Sequence, residues 1–123
     1  MAATEKVNPK MQACVDAALI TQMNRRGQIK GCTVDGPLAL DVACSPEACA
    51  IKGLESPVAG AADCLVFPNI ETGNVFYKGT TVLGGARLAA AVVGTTAPCV
   101  LTSRADSEES KFLSIALGCR LAR

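Results

Sequence analysis

Val66-Phe67-Pro68-Asn69-Ile70-Glu71-Thr72-Gly73-Asn74-Val75-Phe76-Tyr77-Lys78 is the stretch on which the reading of the fold turns. An apolar run of strand type, Ala62 to Phe67, ends in a Pro-Asn break, and the polar residues that follow open a helix predicted over Thr72 to Leu83. A strand that delivers a loop and then a helix is the repeating unit of an open α/β sheet. Ligands of such sheets bind at the carboxyl ends of the strands. The run Cys99-Val100-Leu101 leads in the same way into Thr102-Ser103-Arg104-Ala105-Asp106-Ser107. Two polar strand ends in a mostly apolar chain form the functional hypothesis.

Outward from these loops the chain reads as alternating helices and strands. Asn8-Pro9 and the stretch Lys10 to Arg26 predict a helix stopped by Gly27, with Met11, Cys14, Val15, Ala18, Leu19 and Met23 as its buried stripe. Gly31 to Val34 reads as a short strand ending in the Asp35-Gly36-Pro37 turn. Leu38 to Cys44 could begin a helix, and Ser45-Pro46-Glu47 has the form of an N-cap with proline in the first turn. The short helix that follows stops at Gly53. Arg87 to Val93 fits helix or strand by periodicity, with a helix-to-strand passage favoured. Ser103-Arg104-Ala105-Asp106 has the form of a capping box for a last helix, Asp106 to about Arg120. The expected fold class is therefore α/β, a largely parallel sheet flanked by helices, in a single unit over 1–123.

Composition narrows the chemistry. The chain has 123 residues, half of them hydrophobic and only 3% aromatic, which suits layered packing of small side chains. A net charge of +1 gives no global field to recruit nucleic acid or an anionic membrane, so neither is expected as a partner. No apolar run approaches the ~18 residues of a membrane span and the first residues lack a secretory signal, so a cytoplasmic location is expected. Seven cysteines without a C-x-x-C spacing read as small buried thiols, Cys64 and Cys99 among them inside predicted strands. The chain contains no histidine, which excludes Ser-His-Asp, Cys-His and H-E-x-x-H chemistry built from it alone. No metal site and no bound cofactor are expected. Acid-base work falls to carboxylates, Lys, Cys or Tyr77.

Candidate site residues follow from the loops. Asn69, Glu71, Asn74 and Lys78, gathered around Gly73 at a helix start, supply amide donors, a carboxylate, backbone N–H groups and a cation, the parts of an anion or amide-rich ligand site. They equally suit a solvated loop with asparagine capping. Ser103 and Arg104 bring a hydroxyl and a guanidinium fork to the start of the last helix, where phosphate is the natural guest. Asp106 either favours the helix dipole or, beside Arg104, acts as a base. Asp35 either closes a turn or orients a ligand hydroxyl. No G-x-x-x-x-G-K-[ST] or G-x-G-x-x-G motif is present.

These same residues carry a resemblance. Glu5-Lys6-Val7-Asn8-Pro9-Lys10-Met11, Asp35-Gly36-Pro37-Leu38-Ala39-Leu40-Asp41, Pro68 to Asn74 with Tyr77-Lys78, and Leu101 to Ser107 together resemble the phosphate acyltransferases, above all their phosphate butyryltransferase branch. These enzymes exchange an acyl group between coenzyme A and inorganic phosphate. The resemblance implies that this chain matches their C-terminal portion, part of an isocitrate dehydrogenase-like fold of two lobes. It implies acyl-CoA and phosphate as substrates, coenzyme A as a substrate and not a cofactor, and a homo-oligomer, a dimer in the family.

By position Ser103 and Arg104 match the family's Ser-Arg pair, linked to transition-state stabilisation and phosphate binding. Asn74 and Lys78 match its G-N-x-x-Y-K segment. The residue that serves as candidate base in the acetyl branch corresponds here to Ser110, so Asp106 or Glu109 would have to substitute. Two further classes stand beside this one. A truncated fragment would fold and self-associate without turnover. An isocitrate dehydrogenase-like oxidoreductase would need nicotinamide and metal-binding motifs that the sequence does not display.

Overall fold

Ser45 organises the first part of the molecule because it ends one helix and begins the next. In the computed structural model, which describes residues 1–122, its hydroxyl oxygen accepts from the Ala48 amide at 3.2 Å, and Pro46 occupies the first helical turn. Helix α1 spans Gln12–Arg25, α2 Leu40–Cys44, α3 Pro46–Lys52, α4 Ile70–Lys78 and α5 Glu108–Leu121. A π-helical turn, Gly79–Leu83, continues α4. The chain divides into two units, Met1–Gly73 and the part from Asn74 onward, with α4 crossing the division.

In the first unit, helix α1 begins at Gln12, two residues later than the sequence predicts. Asn8 caps a turn before it by accepting the Lys10 amide at 3.0 Å. Its buried residues are Cys14 and Thr21, whereas Val15 and Leu19 of the expected stripe are 36% and 59% exposed. Polar contacts choose this face. Thr21 Oγ1 donates to the Gly36 carbonyl at 3.2 Å, and the Asn24 amide donates to the carbonyls of Ile29 and Cys32 while its oxygen accepts from Val34 N. A Cβ on Gly36 would lie 3.1 Å from Ala17 Cβ, so the loop approaches the helix closely. The segment Gly31 to Val34 is thus held by a helix side chain and not by a neighbouring strand.

Helices α2 and α3 supply the core of this unit: Leu38, Val42, Ala43 and Cys49 form one buried cluster, with Leu54, Ala62 and Leu65 packed against it. Val42 is fully buried, which contributes roughly 1.5–3 kcal/mol. Gly53 ends α3 in the left-handed conformation at φ 60°, as its sequence position predicts. Gly60, at φ 79°, passes so close to the Ser45-Pro46 peptide that a Cβ there would lie 2.3 Å from Pro46 N. On the surface Lys52 Nζ bridges Asp41 at 2.9 Å and Glu5 at 3.0 Å. Lys52's ammonium hydrogen bonds lower both carboxyl pKa values and raise its own.

The second unit is built on α5. Ser114, fully buried, accepts from the Ala90 amide at 3.0 Å and donates to the Ser110 carbonyl at 2.7 Å, so one hydroxyl ties residue 90 to the helix. Gly118 lets Val100 sit on the helix, since a Cβ there would be 2.7 Å from Val100 Cγ2. Ser107, not Ser103, caps α5: its Oγ accepts from Ser110 N at 3.1 Å. Thr80 and Thr81 turn their hydroxyls onto carbonyls one turn back, which accompanies the widened π turn.

The largely parallel sheet is not formed. Among the described residues no sheet is present, and the only ladder contact is one antiparallel bridge between Val92 and Cys99, with Val92 N donating to Cys99 O at 2.8 Å. The expected strands Gly31 to Val34 and Ala62 to Phe67 lack ladder partners among the described residues, and Cys99 to Leu101 has only the single bridge from Cys99 to Val92. The physical reason is that apolar alternation proposes a strand locally, whereas a strand exists only through hydrogen bonds to a neighbour. Some of their apolar side chains stay open, Val66 65% and Leu101 80% exposed, while Ala62 and Leu65 pack against the buried cluster. Cys64 and Cys99, expected in the core, are exposed. All seven cysteines are unpaired, and Cys14 and Cys49 are the buried ones.

Candidate functional site

The expected site residues fall on both sides of the division. Asp35, half-buried, ends the loop held by Asn24, and Asn69 caps α4, accepting from the Thr72 amide at 2.9 Å and the Thr72 hydroxyl at 2.8 Å. The capping function of Asn69 therefore takes up its side-chain oxygen. Gly73 lies against the Phe67 side chain, at 3.7 Å for an added Cβ. These three residues belong to the first unit. Asn74, Lys78, Ser103, Arg104, Asp106 and Glu109 belong to the second.

Within the second unit the chain brings Lys78, Ser103 and Asp106 together, and it adds Tyr77. Helix α4 places Tyr77 and Lys78 in its last turn, and the turn Ser103 to Asp106 precedes α5. The Tyr77 hydroxyl donates to Asp106 Oδ1 at 2.5 Å, and Lys78 Nζ lies 3.3 Å from the Tyr77 oxygen and 3.9 Å from Asp106 Oδ1. On the other carboxylate oxygen, Asp106 Oδ2 accepts from Ser103 N at 2.7 Å, while the Asp106 amide donates back to the Ser103 carbonyl at 3.1 Å. The four residues 103–106 thus close on themselves. The carboxylate side chain is only 9% exposed.

Electrostatics follow from this geometry. The Tyr77 hydroxyl, above all, holds the Asp106 carboxyl below the usual aspartate value of 3.8, assisted by the Ser103 amide and the charges of Lys78 and Lys111 and opposed by burial. Hydrogen bonds made to the ionised form explain the sign. Asp106 is an anion in this site at neutral pH.

A cavity of about 140 Å³ opens beside this cluster, lined by Tyr77, Leu88, Ala90, Leu101, Ser103 and Asp106. Arg104 is exposed, next to Ser103 in the same turn, and among the described residues no carboxylate lies within salt-bridge distance of it. Glu109 is drawn to the surface by Arg87, with Arg87 Nη2 2.5 Å from Glu109 Oε1. Asn74 is exposed, one helical turn before Lys78.

Tyr77 is the residue that sequence reasoning did not assign to the site. Two signals could have found it: it is the sole tyrosine, and it stands immediately before the assigned Lys78. Its partner, Asp106, lies 29 residues on, beyond the reach of local patterning.

Residues 1–119 match the family described as phosphate acetyl/butaryl transferase. The chain is 55% identical over 120 residues to a phosphate acetyltransferase of Thermotoga maritima, covering 98% of this chain and 41% of that protein. It is 56% identical to a phosphate butyryltransferase of Clostridium acetobutylicum, again over 98% of this chain and 40% of the relative. Among solved structures, a branched-chain phosphotransacylase from Enterococcus faecalis V583 matches with a TM-score of 0.85 and 45% identity, over 97% of this chain and 42% of that one. The chain spans about two fifths of the length of these relatives. On a match that runs through nearly all of its residues, the chain belongs to the phosphate acetyl/butaryl transferase family.

Proposed function

We propose that this chain is the C-terminal portion of a phosphate acyltransferase and carries the phosphate-receiving corner of its site. The observation that supports it most is the meeting of Tyr77-Lys78 with the Ser103-Arg104 turn through Asp106, where Tyr77, Ser103 and Asp106 also line one cavity. In the reaction, a phosphate oxygen attacks the thioester carbonyl of a short acyl-CoA, butyryl or acetyl. The carbon-sulfur bond breaks, and coenzyme A leaves as the thiol. Such a step needs an anion clamp, an oxyanion donor and a place for the proton.

Arg104 supplies a bidentate fork for phosphate and Lys78 a second cation. The Ser103 hydroxyl is a donor for the developing oxyanion, because its oxygen accepts only a long 3.4 Å contact from the Ala105 amide and its hydrogen is available to a ligand. Asp106 is the carboxylate bonded into this corner, and Glu109, paired with Arg87, is the second candidate for the base. Asn69, Gly73, Asn74 and Asp35 take ligand-positioning roles in this reading. No helix among the described residues is long and apolar enough to cross a membrane, and we place the enzyme in the cytoplasm, as a homo-oligomer without a bound cofactor.

A second reading is supported by the two-fifths coverage of the relatives: a fragment that folds and self-associates without turnover. Thiol release from butyryl-CoA in phosphate buffer separates the two. Release that Arg104→Ala reduces by at least about a hundredfold is expected for the enzyme. No release at high protein concentration rejects turnover by this chain and leaves the fragment.

A further inference from the structure

Asp106 can serve this corner in two ways. A proton acceptor needs a lone pair aimed at the reacting atom. A strut needs its oxygens committed to the groups that it holds in place. In the structure both oxygens are committed: Oδ1 to the Tyr77 hydroxyl at 2.5 Å and Oδ2 to the Ser103 amide at 2.7 Å, in a side chain only 9% exposed. We propose that Tyr77 and Asp106 form a positioning pair that fixes the Ser103-Arg104 turn in its anion-receiving shape, and that Asp106 is not the base of the reaction. The proposal rests on the phosphate acyltransferase reading above.

The geometry gives the pair direction. Helix α4 holds Tyr77, Tyr77 holds the Asp106 carboxylate, and the carboxylate holds the first amide of the turn that carries Arg104. Lys78 closes the outer end, with its ammonium 3.3 Å from the phenol oxygen and 4.3 Å from the ring centroid. The Ser103 N–H is consumed by this arrangement and is unavailable to a substrate oxyanion. Reception of phosphate then depends on the Ser103 hydroxyl and Arg104, whose placement the pair sets. A carboxylate surrounded by Tyr77, Lys78, Lys111 and the Ser103 amide also binds a proton more weakly than a free one, which suits a strut and disfavours a base.

The chain has one tyrosine and no tryptophan, so tyrosine emission reports this pair alone. Three measurements on the full chain, wild type against Tyr77→Phe and Asp106→Asn, test the proposal with inorganic phosphate as the probe. Tyrosine emission, quenched by the bonded carboxylate, is expected to rise in Asp106→Asn. The Ser103 amide is expected to exchange about tenfold faster in both variants, while the Ala90 amide, bonded to Ser114, keeps its wild-type rate and shows that the fold is intact. Phosphate affinity is expected to fall about tenfold in both.

Where the chain turns over, the loss falls on the KM for phosphate with kcat within about threefold and an unchanged pH profile. Wild-type phosphate binding with unaltered affinity in both variants overturns the positioning pair alone. Loss of kcat in Asp106→Asn with a changed pH profile and unchanged KM marks a base and overturns it too. A wild-type chain that binds no phosphate, with the Ser103 amide still loosened in the variants, rejects the acyltransferase reading and the proposal with it.

Discussion

Asp106 concentrates the chemistry of the second unit in one side chain, and its charge state can be followed from outside. Its folded pKa is depressed by the Tyr77 hydroxyl first, then by the Ser103 amide and the nearby lysines. A depressed carboxyl stabilises the fold fully above the unfolded pKa and loses that contribution as pH falls through the folded one. Stability of the second unit should therefore be constant from neutral pH down to about pH 4 and decline below it, and urea midpoints should show the decline in wild type and its absence in Asp106→Asn. An identical acid decline in both proteins would mean that Asp106 carries no such linkage. At this scale the sequence was half legible. Ser103, Arg104, Asp106 and Lys78 stand out by residue type at helix ends, but the partner of Asp106 is set by three-dimensional proximity, and Tyr77 was not assigned.

The α2 to α3 corner shows where local chemistry is sufficient, and the start of α5 where it is not. Ser45-Pro46 and Gly53 were readable as the start and stop of α3 because capping depends on residues within one turn of each other. Ser103 to Asp106 misled the same reasoning. The S-x-x-D pattern does form a reciprocal turn, but the helix waits for Ser107, whose own cap lies one turn further on.

Two substitutions probe the close approaches that the elements depend on. Gly118→Ala places a Cβ 2.7 Å from Val100 Cγ2 and should cost about 1–3 kcal/mol in urea denaturation, with Val100→Ala in the same chain restoring most of the loss. Equal stability of Gly118→Ala and wild type would show that Val100 does not pack on α5. Gly60→Ala meets backbone and not a flexible side chain, at 2.3 Å from Pro46 N and with φ 79°. It should reduce stability by more than Gly118→Ala, or prevent folding of the first unit altogether.

On the scale of the whole molecule, the burial of apolar side chains is far from complete. Among the described residues five hydrophobic ones are buried, while Ile70, Val75, Val82, Leu83, Val93, Leu101 and Phe112 are each more than 65% exposed. Surfaces of this kind associate. Sedimentation velocity should show a boundary that moves faster as protein concentration rises, and a concentration-independent monomer would contradict that expectation. The sheet was the part of the fold that sequence could not yield. Runs such as Ala62 to Phe67 have strand composition, yet their pairing is a property of neighbours, and only the Val92 to Cys99 bridge supplies one among the described residues.

Family membership, by contrast, was legible from four short blocks spread along the chain, and the family match runs over residues 1–119. The central claim is that the turn bearing Ser103 and Arg104 receives phosphate. Calorimetric titration of inorganic phosphate into the chain tests it directly: one binding event per chain in wild type, reduced at least about tenfold by Arg104→Ala, is the predicted result. Equal binding by wild type and Arg104→Ala, or no heat from either, would contradict it.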